Sequence, residues 1–303
     1  MRHYRDCVPV SPYALLALTA FFWSSNFVVG RALHDEVPPV ALAFWRWVVA
    51  AVALAPFAWR QLWADRAALQ RQAGMTIVLG ILGISVFNTF VYVGLGSTTA
   101  TNALLLNSTI PIIIAVINWL AFSQRLTRLQ TVGVAVSLSG VAVIVFRGTW
   151  AGLVGLRFNA GDLWIFAAGL NWAIYTVLLR KRPQGVGALA FLLATMLVGV
   201  AVLAPAYAVE SALGARIHLS LTVVAALVYI GVVPSVLAFT FWNQGVAAVG
   251  ANKAGVFIHP MPVFGTALAV IFLHETVHGY QLAGIALILI GILLVTRRTD
   301  SRS

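Results

Sequence analysis

Charge is what this chain has least of. Only 9% of its 303 residues are Asp, Glu, Lys or Arg, against about 25% in an ordinary soluble domain. So few charges cannot cover the surface of a soluble protein this long. The composition excludes disorder, coiled coil and collagen, and it argues against a soluble enzyme. Acids are scarcest of all. They are Asp6, Asp35, Glu36, Asp65, Asp162, Glu210, Glu275 and Asp300, and each falls in a loop or at the end of an apolar run. A buried carboxylate is the usual proton carrier, and the usual partner of a cation, inside a membrane. Its absence argues against a proton-coupled cation pump and favours a neutral or zwitterionic substrate moving downhill. Cysteine is reduced to Cys7, which rules out an intramolecular disulfide and a cysteine-based metal site. No in-span Asp pair, metal-ligand cluster or activated nucleophile is present, so the sequence implies no enzyme and no cofactor.

What remains is apolar. Hydrophobic residues make up 61% of the chain, and mean hydropathy is +0.95. Apolar runs fall at 12–31, 39–58, 73–95, 98–121, 127–146, 161–180, 186–208, 218–244, 251–273 and 279–296. A bilayer-spanning helix needs about 20 such residues, whereas a transmembrane barrel would show short alternating segments. The expected fold is an all-α membrane protein of ten transmembrane helices. The first run follows Arg2 and Arg5, as in a signal sequence, but it is too long for one and is expected to be retained. Between the second and third runs, Arg60, Arg66 and Arg71 mix with Trp59, Leu62, Trp63 and Leu69. That mixture suits a short interfacial helix or a polar loop.

The net charge of +11 does not point to nucleic acid, because the basic residues sit in short clusters between apolar runs. If both termini are cytoplasmic, Lys and Arg divide as 14 inside, 4 outside and 1 within a span, Arg46, making 19. This positive-inside bias predicts a multi-pass protein of a bacterial-type inner (plasma) membrane with both termini in the cytoplasm. Its surroundings are the lipid bilayer, and it is expected to be a monomer.

The chain also repeats itself. A shift of 151 residues lays Thr89, Phe90 and Gly94 on Thr240, Phe241 and Gly245, and Pro111 on Pro262. The same shift lays Gln130, Gly133 and Gly140 on Gln281, Gly284 and Gly291. Nearer the start the shift is 149, laying Trp23 on Trp172. Two halves follow, 1–150 and 151–303, with five helices each. An odd number per half makes the second enter the membrane from the opposite side, an inverted repeat of the kind transporters use.

Trp23-Ser24-Ser25-Asn26-Phe27, with Pro38, Pro39 and Arg46, resembles the opening of the ten-helix drug/metabolite transporter superfamily, EamA type. The second half resembles it in Gly169–Tyr175, in Tyr229–Gly231, and in Pro262, Glu275, Gln281, Gly284 and Gly291. The resemblance covers nearly the whole chain. It implies alternating-access export of small metabolites, amino acids or drugs. The aromatic-rich helices look most like the YddG-type aromatic amino-acid exporters. Small relatives in the superfamily use a buried glutamate in the first helix, and this chain has none there. The expected function is export of amino acids, aromatic and other hydrophobic ones. The alternative is a drug or other small-metabolite exporter, possibly proton-coupled.

Candidate substrate-binding residues are the polar and aromatic side chains inside the spans: Trp23, Asn26, Asn88, Tyr92, Asn102, Asn171, Trp172, Tyr175, Trp242 and His259. Several share a helix face at i, i+3 or i, i+4 spacing. Their bland role is interhelical hydrogen bonding, worth about 0.6 kcal/mol each on average. Inverted symmetry is expected to bring Trp23 and Trp172 to opposite walls of a central cavity. Trp59, Trp63, Trp150 and Trp164 lie near span ends and suit the interfacial belts. Arg46 either plays a structural role or partners a substrate carboxylate. Pro111, Pro234, Pro260 and Pro262 each free a carbonyl four residues earlier, and free carbonyls at membrane depth can hold an ammonium group.

The charge bias makes one direct prediction. An alkaline phosphatase fused to the C-terminus, active only outside the cytoplasm, should be silent. Strong activity would mean an odd number of spans.

Overall fold

The computed structural model describes residues 11–122, 128–145, 159–249, 256–258 and 260–296, and among these every regular element is a helix. The first half contains α1 (Pro12–Ala32), α2 (Pro39–Ala64), the short α3 (Arg66–Arg71) and α4 (Ala73–Leu95). It continues with α5 (Ala100–Asn107), α6 (Ile110–Phe122) and α7 (Arg128–Val145). The second half contains α8 (Ala160–Leu178), α9 (Ala188–Ala212), α10 (221–249), α11 (Met261–Leu273) and α12 (Gly279–Thr296). Six of these spans are long and apolar enough to cross a bilayer by themselves.

Two elements differ from the sequence expectation. α2 runs on through Ala64, because Trp59 and Trp63 continue its exposed apolar side while Ala58 stays buried. Only Arg66–Arg71 forms a separate short helix. The run 98–121 is not one helix but two, α5 and α6, broken at Ser108 and Thr109. Pro111 has no N–H to continue the ladder and its ring crowds the preceding turn. The hydroxyls of Ser108 and Thr109 turn back onto Leu104 O (3.0 Å) and Leu106 O (2.7 Å).

The scarce acids tie helices together. α2 and α9 pack antiparallel, and each caps the start of the other. Glu210, near the end of α9, accepts from Val40 N (3.0 Å) and Ala41 N (2.7 Å). Asp65, just after α2, accepts from Gly187 N (2.8 Å) at the start of α9. Glu275 accepts from Ala100 N (2.8 Å) and Thr101 Oγ (2.7 Å) at the start of α5. A carboxylate there satisfies orphan N–H groups and faces the positive end of the helix dipole. Of the six acids among the described residues, Asp65, Glu210 and Glu275 do this, and Asp162 accepts a short bond from Thr98 Oγ.

Contacts between the halves are reciprocal. A Cβ on Gly80 of α4 would meet Val198 and Thr195 O of α9. One on Gly231 of α10, 151 residues on, would meet Val49 and Arg46 O of α2, each 149 residues before its counterpart. α7 and α12 cross in the same manner. Gly140 lies against Gly284 O and Ile288, and Gly291 against Gly133 O and Ser137. These are pseudo-twofold pairs, and the close approach requires the missing side chain at both partners.

Gly291→Ala should therefore destabilise the protein by about 1–3 kcal/mol, since its new methyl meets backbone that cannot yield. Gly74→Ala, with nothing within 4 Å, should be neutral or slightly stabilising. Thermal unfolding of the detergent-solubilised variants checks the contrast. Equal Tm values would contradict the packing.

Candidate substrate site

The helices lose regularity at matching places in the two halves. α4 contains a π turn at Ile81–Val86, and α10 contains one at Gly231–Leu237. The two overlap under the 151-residue shift. The break between α5 and α6 at 108–109 recurs between the 3₁₀ turn Val256–Ile258 and α11, which starts at Met261. π turns frequently mark functional sites. Helices interrupted at corresponding positions of two repeats point to a transporter's substrate site.

Arg46 lies between the two π turns and is 2% exposed. Its Nε donates to Ser235 Oγ (2.6 Å). Its Nη1 donates to Asn88 Oδ1 (2.7 Å) and to Tyr92 OH (2.9 Å). Each acceptor is held from behind. Ser235 Oγ donates to Ile230 O (2.7 Å) and Asn88 Nδ2 donates to Ile84 O (2.9 Å), both carbonyls at the π turns. Tyr92 OH also donates to Asn26 Oδ1 (2.9 Å). The guanidinium thus joins α1, α2, α4 and α10. Among the described residues no carboxylate pairs with it. Its Nη2 group has no hydrogen-bond partner among them either.

Arg46 borders a cavity of about 30 Å³, room for roughly one water. The lining comes from both halves, but its polar groups do not. The first half supplies every charged and amide side chain, Arg46, Asn26, Asn88 and Asn107, together with Trp23, Phe27, Phe87 and Ile110. The second half supplies Trp172, Phe239, Ile258 and Met261. Equivalent positions carry opposite character. Asn88 matches Phe239, and Asn107 matches Ile258, under the 151-residue shift. A larger groove of about 580 Å³ lies at Trp45, Tyr207, Arg216 and Leu227. It has one charged side chain and none of the amide cluster, so the smaller cavity is the candidate site.

Five aromatic rings line the cavity, Trp23, Phe27, Phe87, Trp172 and Phe239. Trp23 touches Trp172 edge-to-face at 5.6 Å and packs on Trp242 at 5.2 Å and on Phe239 at 5.6 Å. Trp172 packs on Phe87 at 4.7 Å and Tyr175 at 4.9 Å. The two tryptophans therefore meet and do not stand on opposite walls. Trp23, Asn26, Asn88 and Trp172 line the cavity beside Arg46. Tyr92 sits behind Arg46, and Trp242 and Tyr175 sit behind the tryptophans. Asn171 donates to Leu82 O (2.7 Å). Asn102 lies away from the cavity, where its Oδ1 accepts from Gln281 Nε2 (2.7 Å). His259 lies outside the described residues, as does Trp150. Trp59 and Trp63 are exposed as expected. Sequence reasoning missed Asn107, Ser235, Phe87 and Phe239. Only Asn107 carried a signal, standing four residues before Pro111.

An all-helical membrane bundle with repeated halves and a small internal cavity between them has the architecture of a carrier. The model described as the EamA-like transporter family matches residues 10–146 and again 159–297, and the chain belongs to that family. It is 26% identical to an uncharacterized transporter of Bacillus subtilis, YyaM, covering 93% of this chain and 92% of that one. It is 28% identical to a probable terminal-alkyne amino-acid exporter of Streptantibioticus cattleyicolor, covering 95% and 94%. It is 25% identical to a probable amino-acid metabolite efflux pump of Salmonella typhimurium, covering 92% of each. A solved crystal structure shares the fold with a TM-score of 0.62 at 21% identity, covering 93% of this chain and 96% of that one.

Proposed function

We propose that this transporter exports amino acids with aromatic and other hydrophobic side chains, by alternating access and down their gradient. The observation that carries the reading is the mixed lining of the cavity. It combines one cation and three amides with rings and aliphatic groups. An amino acid with an apolar side chain has that same combination. Its carboxylate finds Arg46, whose charge no protein carboxylate neutralises among the described residues. Its side chain finds Trp23, Trp172 and Phe239, ring faces that accept a phenyl or indole group at low conformational cost. Two relatives bear amino-acid export or efflux in their names, which agrees with this substrate class.

The cavity as it stands is far below the ~300 Å³ of an ordinary ligand pocket. This is a closed state, and the halves, 1–150 and 151–303, must rock apart to admit substrate. Arg46 also speaks against the rival reading of a cationic-drug exporter. A cation entering this site would meet like charge at low dielectric. Among the described residues no carboxylate lines the site to carry a proton, which supports facilitative transport. The basic bias supports a cytoplasmic position for both termini.

Purified protein in liposomes should take up labelled phenylalanine above empty liposomes, and leucine should compete. The initial rate should be the same with and without an imposed pH gradient. Carriage of cationic drugs in place of amino acids would overturn the substrate class. Uphill accumulation driven by the gradient would overturn the facilitative mechanism.

A further inference from the structure

We infer that Asn107 receives the substrate's ammonium group, so that Arg46 and Asn107 together select a zwitterion. This rests on the amino-acid reading and adds to it a residue that reads the second charged group.

Asn107 is the last residue of α5, at the break before α6. It is 5% exposed and lines the same cavity as Arg46. Its Oδ1 is fully buried and accepts no hydrogen bond. Neighbouring in-span amides are not left this way. Asn26 Oδ1 accepts from Tyr92, Asn88 is bonded at both ends, Asn102 Oδ1 accepts from Gln281, and Asn171 Nδ2 reaches Leu82 O. A buried acceptor without a donor is costly. The backbone adds a second acceptor. The carbonyl of residue 107 would take its helical hydrogen bond from the N–H of residue 111, and Pro111 has none. Ser108 and Thr109 do not compensate, because their hydroxyls bond Leu104 O and Leu106 O. Asn107 thus presents two acceptors on one residue beside a cavity, and an ammonium group carries three donors.

The other charged end of the ligand is provided for separately. Three of the five N–H groups of Arg46 are taken by Ser235, Asn88 and Tyr92, and the two on Nη2 are left for a carboxylate. A cation with spare donors and an amide with spare acceptors, in one small cavity, together describe the headgroup of an α-amino acid. Ile258, the counterpart of Asn107 in the second half, can do neither.

The test removes the ammonium from the ligand and the acceptor from the protein, separately and together. The ligands are phenylalanine and 3-phenylpropionate, which differ only by the ammonium group. Binding to purified protein is read from the ligand-induced thermal shift. The wild type should prefer phenylalanine by at least about tenfold, as a site built around hydrogen bonds rejects an analogue lacking the group. Asn107→Leu should bring that ratio close to one through loss of phenylalanine affinity alone. The variant's own Tm should stay equal or rise, because an unsatisfied buried polar group has been removed. Asn107→Ser, which keeps an oxygen acceptor, should fall between and serves if the leucine variant does not fold. A ratio unchanged in these variants overturns the inference. So does equal loss for both ligands with a lowered Tm, the outcome of a packing role. If the wild type binds neither phenylalanine nor any other amino acid, the amino-acid reading itself falls, which is distinct from an intact preference that ignores residue 107.

Discussion

A guanidinium cannot be left bare in the middle of an apolar bundle, and much of this structure follows from meeting that demand. Placing an arginine at membrane depth costs about 2.5–3.5 kcal/mol even on lenient insertion scales. Hydrogen bonds from a charged donor return about 1.5–3 kcal/mol each. Arg46 finds three, on Asn88, Tyr92 and Ser235. Two of these acceptors also satisfy carbonyls at the π turns of α4 and α10. The π turns, the buried amides and the arginine therefore depend on one another. Replacing the arginine by an apolar residue would leave Asn88 and Ser235 short of a donor, and breaking either π turn would strip the arginine of its partners.

The backbone is nearly twofold and the chemistry is not. Gly80 and Gly231, Gly140 and Gly291, the two π turns and the two helix breaks obey the same exchange of halves. Trp23 and Trp172 in the cavity obey it too, but the charged and amide side chains there do not. Arg46 corresponds to Thr195, Asn88 to Phe239 and Asn107 to Ile258. A symmetric scaffold gives the two conformations that alternating access needs, because exchanging the halves exchanges the two openings. A symmetric lining would suit a symmetric ligand. The departure from symmetry confines the charged and amide groups of the lining to the first half, while its apolar groups come from both.

Much of this was readable in the chain. Ten apolar runs of spanning length give the helices, and Pro, Gly and Gln matching at one shift reveal the repeat. Trp23, Asn26, Asn88, Trp172 and Arg46 stood out as polar or bulky groups inside spans, and the structure brings them to one cavity. Other features depend on neighbours far away in sequence. Asn102 and Asn107 look alike in the chain. Gln281, 179 residues on, satisfies the first, and nothing among the described residues satisfies the second. Ser235 gives no signal because its partner lies 189 residues away on α2. Pro111 was visible as a helix breaker, but the apolar run continues across it, so the break between α5 and α6 was not. The contact between Trp23 and Trp172 depends on how the two halves pack, which no local pattern encodes.

Proposed substrate selection depends on Arg46 carrying a charge that no carboxylate among the described residues cancels and a substrate carboxylate does. The most direct measurement compares phenylalanine with 2-phenylethylamine, which lacks only the carboxylate, on the wild type and on Arg46→Gln at matched protein amounts. The wild type should bind phenylalanine at least about tenfold more tightly than the amine, since a buried charge pair is lost without the carboxylate. In Arg46→Gln the two affinities should converge, with phenylalanine weakened and the amine strengthened as like-charge repulsion disappears. A preference for phenylalanine that survives Arg46→Gln undiminished would contradict the account.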